Sequence, residues 1–396
     1  MKVLFLMFVF PDMNTSFNMF TTLVEEFHLA GHDVFVLAPS NEKTAIRIEK
    51  NIPILRVKTL PIKNVSNITK GISNVLLPYH YKKALNKFYP NVKFDLIIAP
   101  TPPITLIDLA ASLKKKHQAK FYLMLRDIFP QNAVDLGFMK KNGLIHNYFS
   151  KKEAKTYKTA DYIGCMSQGN IKYLLDHNPS LVKEKLHELK NFQVLYSGYG
   201  KDHSHLKKQF DLENKFVVVF GGNMGKPQQL ENVLKLAQSC QEYDDVLFLL
   251  LGEGVQMQNL DEKIKEQNIK NIRIQGTIPK QDYQDLLNIC DVGLISLHQN
   301  FTIPNIPSKT LDYFNVGLPV LASIDKATDY DKVLEEAKAG LWSYAGDHKT
   351  LKNNFDVLYK NRQMLKEMGL NARNYFLKNL VPEIAFQTVL KNVTSK

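Results

Sequence analysis

Cysteine is rare in this chain of 396 residues, and its three cysteines do not have the spacing of a metal site or a disulfide pair. Cys165, Cys240 and Cys290 each lie in or beside an apolar or helical stretch. We therefore expect buried, reduced thiols in a cytosolic protein. The histidines are scattered and form no HExxH or similar pair, which argues against a zinc site.

Long apolar runs are also missing. A membrane-spanning helix needs about 20 nearly uncharged apolar residues, whereas the longest early run, Val3–Phe10, has eight. Pro11 and Asp12 follow this run in place of a small-residue cleavage site, so a first β-strand explains it better than a signal peptide. The length is typical of two or three domains.

Acidic residues are scarce in the first half. Residues 1–200 hold 27 Lys and Arg against 15 Asp and Glu, which accounts for the whole net charge of +12. Within residues 51–160 the ratio rises to 19 basic against five acidic residues. This one-sided distribution predicts an anionic partner: nucleic acid, a membrane surface or a phosphorylated substrate. No nucleic-acid recognition module accompanies the charge, so nucleic acid is not expected.

Apolar strands alternate with amphipathic helices along both halves. The strand candidates are Lys2–Phe10, Asp33–Ala38, Ile54–Leu60, Asp95–Pro100, Lys120–Leu125, Tyr162–Met166, Gln193–Ser197, Lys215–Phe220, Val246–Leu251, Ile272–Gln275, Val292–Ser296, Pro319–Ala322 and Leu341–Ser343. Short, continuously apolar strands are typical of parallel sheets covered on both faces. Two successive βαβ series predict an α/β chain of two doubly wound, Rossmann-like domains facing across a cleft.

Capping and turn residues predict the helix ends and the domain boundaries. The first helix is expected to start at Asn14–Ser16, capped by Thr15 or Ser16, and to end before Gly31. The polar stretch Gly198–Asp211 separates the two series, so we place the domains at residues 1–200 and 201–380. Residues 381–396 are predicted to form a helix that packs back on the first domain.

A glycine-rich turn follows the first strand of the second half. In FVVVFGGNMGKPQQL, residues 216–230, an apolar strand leads into Gly221, Gly222 and Gly225 and then into a helix. Glycines allow close backbone approach, and a helix N-terminus offers unsatisfied N–H groups, which together suit a diphosphate. The match to GxGxxG is poor and Walker A is absent, so a ligand-free turn remains an alternative.

A second candidate is PNIPSKTLDYFNVGLP, residues 304–319. Ser308 opens a helix with Lys309 in its first turn, where a cation is unfavourable unless an anion binds nearby. Asp312 follows one turn later on roughly the same face, and its carboxylate can accept hydrogen bonds from both hydroxyls of a ribose. An ordinary capped helix is the alternative interpretation.

The run Ser308–Val320 resembles the nucleotide-sugar-binding signature of glycosyltransferase family four, whose members have the GT-B fold. Asp312 stands where that signature has a Glu, five residues before the Gly of a Gly-x-Pro turn. Similar segments are GEG at 252–254, GTIP at 276–279, CDV at 290–292 and HLAGHDVFVL at 28–37. GGNMGKPQQLE, LRDIFPQ and PSKTLDY resemble bacterial capsule and O-antigen glycosyltransferases, including those of the N-acetyl-fucosamine transferase type.

The resemblance implies a donor site in the second domain. Its implied residues are Gly222, Asn223, Gly225, Lys226, Gln228, Glu253, Thr277, Ile278, Asn305, Ser308, Lys309 and Asp312. Pro304 replaces the first Glu of a family pair, so that contact is expected either to be missing or to be supplied by the backbone of Asn305. Asn223 and Gln228 replace an Arg and a Lys beside the diphosphate, and nearby lysines are expected to restore the charge.

The implied catalytic and acceptor residues lie in the first domain. Arg126 and Asp127 follow an apolar strand where many relatives have His-Asp near the transferred sugar. Asp127 can hold the acceptor hydroxyl or take its proton, and Arg126 can bind a phosphate bidentately; alternatively, the pair only closes a loop. Asp12, Asn14 and Thr15, which replace a family double glycine, are assigned to the acceptor side.

Residues and resemblance together predict a glycosyltransferase that moves an N-acetylated hexosamine or deoxyhexosamine from a UDP-sugar to a lipid-linked saccharide acceptor. Retention of configuration is implied by the resemblance alone. No metal or other cofactor is expected, since helix dipoles and lysines would stabilise the departing diphosphate. The basic first half, rich in Phe and Tyr, predicts a cytoplasmic protein adsorbed on the anionic inner face of the plasma membrane. The alternatives are a GT-B nucleotide-sugar 2-epimerase and a non-catalytic GT-B partner subunit.

Overall fold

The computed structural model describes residues 1–61 and 67–395, so Lys396, the last residue of the predicted C-terminal helix, lies outside it. The chain forms two compact units, one of Met1–Val194 with Pro382–Lys396 and one of Leu195–Val381. These divisions follow residues 194 and 381, whereas the sequence analysis placed boundaries after 200 and 380. Each unit contains a mainly parallel sheet with helices, which confirms the predicted α/β class with two Rossmann-like domains.

The elements of both units follow in chain order. The strands are β1 (Lys2–Leu6), β2 (Asp33–Ser40), β3 (Ala45–Glu49), β4 (Ile52–Lys58), β5 (Leu96–Thr101), β6 (Lys120–Leu125), β7 (Tyr162–Cys165), β8 (Leu186–Glu188), β9 (Phe216–Gly221), β10 (Val246–Leu251), β11 (Ile272–Gln275), β12 (Val292–Ser296), β13 (Val320–Ile324) and β14 (Gly340–Tyr344). The helices are α1 (Met19–Leu29), α2 (Asn67–Phe88), α3 (Ile107–His117), α4 (Gln131–Asp135), α5 (Leu144–Thr159), α6 (Gln168–His177), α7 (His205–Gln209), α8 (Glu231–Ser239), α9 (Met257–Glu266), α10 (Lys280–Leu287), α11 (Lys309–Asn315), α12 (Tyr330–Ala337), α13 (His348–Lys360), α14 (Arg362–Asn379) and α15 (Pro382–Thr394).

The strand orders put a topological switch point in each unit. In the described residues the first sheet runs β3-β4-β2-β1-β5-β6-β7-β8, parallel except that β3 pairs antiparallel with β4. The second sheet runs β11-β10-β9-β12-β13-β14 and is parallel throughout. The order reverses beside β1 and beside β9, and ligands of open α/β sheets bind outside the carboxyl ends of strands at such points.

Connection handedness divides the helices of the first unit between the two faces of its sheet. The chain moves in one direction across the sheet from β4 through β5 and β6 to β7, so right-handed crossovers place α2, α3 and α5 on one face. α1 connects β1 to β2 in the opposite direction and covers the other face. α15 packs on α1, where the rings of Phe27 and Phe386 meet edge to face at 4.9 Å.

Two local expectations were wrong. Asp12 holds residues 14–16 in a turn, so α1 begins at Met19, capped by the Asn18 side chain in a capping box with Thr21. Residues 193–197 form no strand, because this stretch leaves the first unit and the Tyr196 N–H donates to Asn315 Oδ1 of the second unit at 2.9 Å. The antiparallel strand β3 was not predicted.

No helix within the described part of the chain combines the length and the apolarity of a membrane span.

Candidate active site

Most of the predicted donor residues line one cavity of the second unit, at the carboxyl ends of β9 and β10. Its volume is about 450 Å³. The predicted residues on its wall are Gly222, Asn223, Gln228, Thr277, Ile278, Ser308, Lys309 and Asp312. Residues that are far apart in sequence therefore meet at the switch point of this sheet, where such folds bind ligands.

Two glycine turns interlock to form the floor of this cavity. Gly222 (φ +117°) donates its N–H to Leu251 O at 2.8 Å, and the Met224 N–H donates to Glu253 O at 2.7 Å. A Cβ atom on Gly252 (φ +142°) would lie 2.0 Å from Gly222 O, so only glycine fits there. The close approach of the two turns therefore depends on glycine at position 252.

A desolvated lysine lies beside the first of these turns. Lys309 Nζ donates to Gln228 Oε1 at 2.9 Å and lies 4.6 Å from the centre of the Phe220 ring. Burial lowers the pKa of Lys309 to about 8, and the neighbouring Asp312 carboxylate opposes this shift. Since burial penalises the charged ammonium, an anion bound in the cavity would be strongly stabilised by it.

The far wall of the cavity combines a carboxylate with an apolar patch. Asp312 lies in the first turn of α11, and Gln284 Nε2 donates to its Oδ1 at 3.4 Å. Ile278 is half-buried and Thr277 is exposed in the loop between β11 and α10. This arrangement can accept hydroxyl hydrogen bonds at one end and pack against a flat ring at the other.

The remaining predicted donor residues do not appear on the wall of this cavity. Gly225 precedes a short 3₁₀ helix, Lys226–Gln228, in which Lys226 is exposed. Glu253 contributes its carbonyl to the crossing of the two turns. The Asn305 carbonyl accepts the Thr328 hydroxyl at 2.6 Å.

Several cavity residues were missed by sequence reasoning. Leu251, Gly252, Lys280 and Tyr283 all line the cavity. The Gly-Glu-Gly turn is visible in the sequence, but which of its residues face the cavity is set by the register of the strands. Tyr283 carries no local signal: its hydroxyl lies where a Cβ on Gly221 would come within 1.9 Å, a contact made only in the folded unit.

The predicted catalytic pair lies in the first unit, at the carboxyl end of β6. Arg126 Nη1 donates to Asn191 Oδ1 at 2.8 Å, while its Nε and Nη2 atoms are buried without a hydrogen-bond partner among the described residues. Burial lowers the pKa of Arg126 to about 10. This buried guanidinium therefore has N–H donors that are available to an anion or to an oxygen-rich ligand.

Asp127 has partners of its own. Its Oδ2 accepts from Asn132 Nδ2 at 2.6 Å, and burial raises the pKa of Asp127 to about 6 despite this bond and one from the Ile128 backbone. The two side chains of the Arg126–Asp127 pair are thus held by different neighbours. A carboxyl group with a pKa near neutrality can exchange a proton at physiological pH, which suits a general base.

The predicted acceptor residues form a turn after β1. Asp12 Oδ1 accepts the Asn14 N–H at 2.9 Å, the Asp12 carbonyl accepts the Thr15 N–H at 3.1 Å, and Asn14 Oδ1 accepts the Lys50 N–H at 3.0 Å. A cavity of about 520 Å³ lies beside this turn, but the three residues are not among those that line it. Its lining comprises Phe8, Val9, Phe10, Pro11, Asn18, Pro39, Ser40, Asn41, Thr59 and Pro61.

A buried ion pair fixes this first-unit loop. Arg56 Nε and Nη2 donate to the two carboxylate oxygens of Glu49 at 2.7 and 2.6 Å, and Arg56 Nη1 donates to the Phe10 carbonyl at 2.6 Å. The Met13 N–H donates to Glu49 Oε2 at 3.0 Å. Sequence reasoning missed this pair, because its members lie on two strands whose pairing no local pattern predicts.

Solved structures of known proteins share this two-unit α/β fold. The Anabaena protein Alr3699/HepE, solved in complex with UDP, superposes with a TM-score of 0.73 at 16% identity, over 100% of both chains. The two mainly parallel Rossmann-like units are those of GT-B glycosyltransferase structures. Residues 201–375, somewhat less than half of the chain, match the family model described as "Glycosyl transferases group 1".

Curated relatives are distant and match in part. The probable glycosyltransferase WbjE of Pseudomonas aeruginosa is 22% identical over 62% of this chain and 61% of its own length. The putative colanic acid biosynthesis glycosyl transferase WcaI of Escherichia coli (strain K12) is 22% identical over 64% of each chain. The match therefore spans somewhat less than two thirds of the length of these relatives.

Proposed function

We propose that the protein is a nucleotide-sugar-dependent glycosyltransferase of polysaccharide biosynthesis, with its donor in the cavity of the second unit. The observation that carries this proposal is the desolvated Lys309 ammonium beside the Gly222 turn, facing Asp312 in one cavity. A diphosphate suits the lysine and the backbone turn, and a ribose suits the carboxylate. Binding of UDP by a protein of the same fold supports a UDP-sugar as donor.

Catalysis is assigned chiefly to charge stabilisation on the departing diphosphate. Lys309 and the Gly222 turn would meet that charge as the glycosidic bond breaks, without reorganising. Asp127, with its pKa of about 6, is proposed to hold or deprotonate the acceptor hydroxyl, and Arg126 to bind an acceptor phosphate. No metal is needed for these steps. Retention of the anomeric configuration belongs to this proposal by family resemblance.

The sugar and the acceptor are proposed more narrowly on the same grounds. The sequence motifs that resemble those of surface-polysaccharide transferases favour an N-acetylated hexosamine or deoxyhexosamine as the transferred sugar. The basic excess of the first 200 residues favours a lipid-linked saccharide acceptor, presented at an anionic membrane surface on the cytoplasmic side. The similarity to WcaI, a putative glycosyl transferase of colanic acid biosynthesis, is consistent with this class of product.

A thermal-shift screen of UDP-, GDP- and ADP-sugars tests the donor site. We expect UDP-sugars to raise the melting temperature and the Asp312→Ala variant to lose that shift, because a ligand that binds only the native state stabilises it, and does so more the higher its affinity. A failure of all nucleotides to stabilise the wild-type protein would refute the donor assignment.

Product analysis separates transfer from its alternatives. Incubation with a UDP-sugar and no acceptor should leave the sugar configuration unchanged, whereas a 2-epimerase would accumulate an epimer. With a lipid-linked acceptor, Asp127→Asn should lose transfer but keep the UDP thermal shift. Donor binding without transfer to any acceptor, in wild type as in the variant, would indicate a non-catalytic partner subunit.

A further inference from the structure

One face of the first unit collects most of the positive excess of the chain. Helices α2, α3 and α5 with the loop 136–143 make up this surface, here named the basic face. The segment 51–160, which supplies it, holds 19 basic and five acidic residues. One of the five acidic residues, Asp108 on α3, is paired with Lys152 and Lys155 of α5. Two lysines against one aspartate leave a net positive charge at this cluster.

Helix α2 is apolar on two sides. Leu77 and Tyr81 are fully buried against the unit. The opposite side exposes 51, 49, 39 and 64% of the side chains of Ile72, Val75, Leu76 and Tyr79. Steps of three and four residues place these four on one stripe, and the next exposed positions along it are Lys82 and Lys83. An uncovered apolar stripe therefore runs directly into cations.

The same combination recurs at the start of α5. Leu144 is 91% and Ile145 64% exposed, and Phe138 in the preceding loop is 70% exposed. The loop is hydrogen-bonded, since the Phe138 N–H donates to Ala133 O at 2.8 Å. Residues 136–152 contain four lysines and no acidic residue. A folded turn thus holds large apolar side chains in water among cations.

The two apolar groups lie on neighbouring elements. Both α2 and α5 contact the short 3₁₀ helix Ile104–Leu106, and α3 packs against both. Monomeric proteins rarely leave contiguous apolar surface uncovered, so the pattern marks an interaction surface. A second copy of the chain would bring lysines against lysines. An anionic bilayer instead supplies both an apolar boundary and fixed phosphate charge.

We propose that the basic face docks on an anionic lipid bilayer. Leu144, Ile145 and the α2 stripe enter the boundary between headgroups and acyl chains, while Lys82, Lys83 and the lysines of loop 136–143 meet the lipid phosphates. The use of this docking, to bring the enzyme to a lipid-linked acceptor, rests on the proposed function. The surface itself is inferred from exposure and charge.

Co-sedimentation of the full chain with vesicles tests the proposal. Vesicles of phosphatidylcholine with phosphatidylglycerol should bind the protein, and added salt should weaken this binding because it screens exposed charge. Phosphatidylcholine alone should bind it weakly. Equal binding to both vesicle types, or no binding to either, overturns the proposal.

Paired variants locate the docking surface. Leu144→Glu/Ile145→Glu and Lys82→Glu/Lys83→Glu should each lower partitioning onto anionic vesicles about tenfold or more. The matched control is Leu29→Glu, because Leu29 is 73% exposed at the end of α1 on the opposite face of the sheet. Equal loss in the control overturns the proposal, and unchanged melting temperatures establish that the variants are folded.

Two further measurements distinguish bilayer docking from self-association and from the donor-site proposal. Self-association of the wild type that Leu144→Glu/Ile145→Glu abolishes, without vesicle binding, would overturn bilayer docking in favour of an interface between copies. The UDP thermal shift, measured on the same preparations, should persist in every variant. In the wild type, absent vesicle binding with the shift intact counts against docking alone, and a missing shift with vesicle binding intact counts against the donor site alone.

Discussion

The loops that follow β1 and β9 occupy the same topological position in their two units, yet they are built by opposite means. The loop after β1 contains no glycine between Met7 and Asn18, and the Arg56–Glu49 pair holds its backbone. The loop after β9 has two glycines, Gly222 and Gly225, and is held by backbone hydrogen bonds to the turn after β10.

The difference shows how each unit supports its ligand surface. Side chains hold the loop after β1 in place. The surface beside this loop is formed largely by Phe, Val and Pro residues. Where the two glycine turns cross beside β9, the surface is lined instead by Gly222, Gly252 and the cationic side chain of Lys309. The first surface suits an apolar or ring-shaped group, and the second suits a diphosphate.

Breaking the grip on the first loop should have the largest effect. Arg56→Met leaves the Glu49 carboxylate buried without its partner, so we expect a loss of about 3–5 kcal/mol of unfolding free energy in urea titrations. Arg47→Met removes the exposed pair with Glu42 and should cost less than about 1 kcal/mol. Equal losses would show that the buried pair does not hold the loop.

Filling the crossing of the second loop should have the next largest effect. Gly252→Ala places a Cβ against Gly222 O at a positive φ, and we expect a loss of about 2–3 kcal/mol in the same titration. Gly276→Ala is the matched control, because a Cβ there meets no atom within 4 Å. A tolerated Gly252→Ala would mean that the two turns separate easily.

Removing the buried cation should weaken the ligand rather than the fold. Lys309→Met deletes a desolvated ammonium, so stability should hold or rise, while calorimetry should show UDP affinity falling about 10- to 100-fold. Lys226→Met, at an exposed lysine of the loop after β9, should change the affinity only a few-fold. A larger loss at Lys226 would relocate the diphosphate charge.

The smallest effect should be a pH dependence of UDP affinity and of stability, caused by Lys309 on α11 beside the second loop. With a Lys309 pKa of about 8, UDP affinity should fall as pH rises above 8, by at most about tenfold per unit. Stability should move oppositely: folding lowers this pKa from 10.5, so the unfolded chain binds more protons between the two values and ΔG of unfolding rises there. Lys309→Met should abolish both trends.

Sequence reasoning reached the second unit more fully than the first. Continuous apolar sequence predicted β10 and β12 at their observed ends, because parallel strands that are buried on both faces are apolar throughout. The predicted donor residues of the second unit were likewise recognised from glycines and from a lysine in an unfavourable helix position. Both signals are local, so a single sequence carries them.

What stayed hidden depends on pairing across the sheet. The Arg56–Glu49 pair, the antiparallel β3 and the Tyr283 hydroxyl beneath Gly221 are set by which strands and helices become neighbours. The true cap at Asn18 was missed because Asp12 makes a competing turn a few residues earlier. The exposed stripe of α2 was hidden too, since two apolar sides weaken helical periodicity.

The packing of α15 on α1 carries a consequence for the order in which the protein matures. Chains leave the ribosome amino end first, and domains generally fold as units during synthesis. All of Leu195–Val381 emerges before α15, so the second unit has its complete sequence while the Phe27 side of the first still waits for Phe386. The half of the molecule that is started first is therefore the half that is finished last.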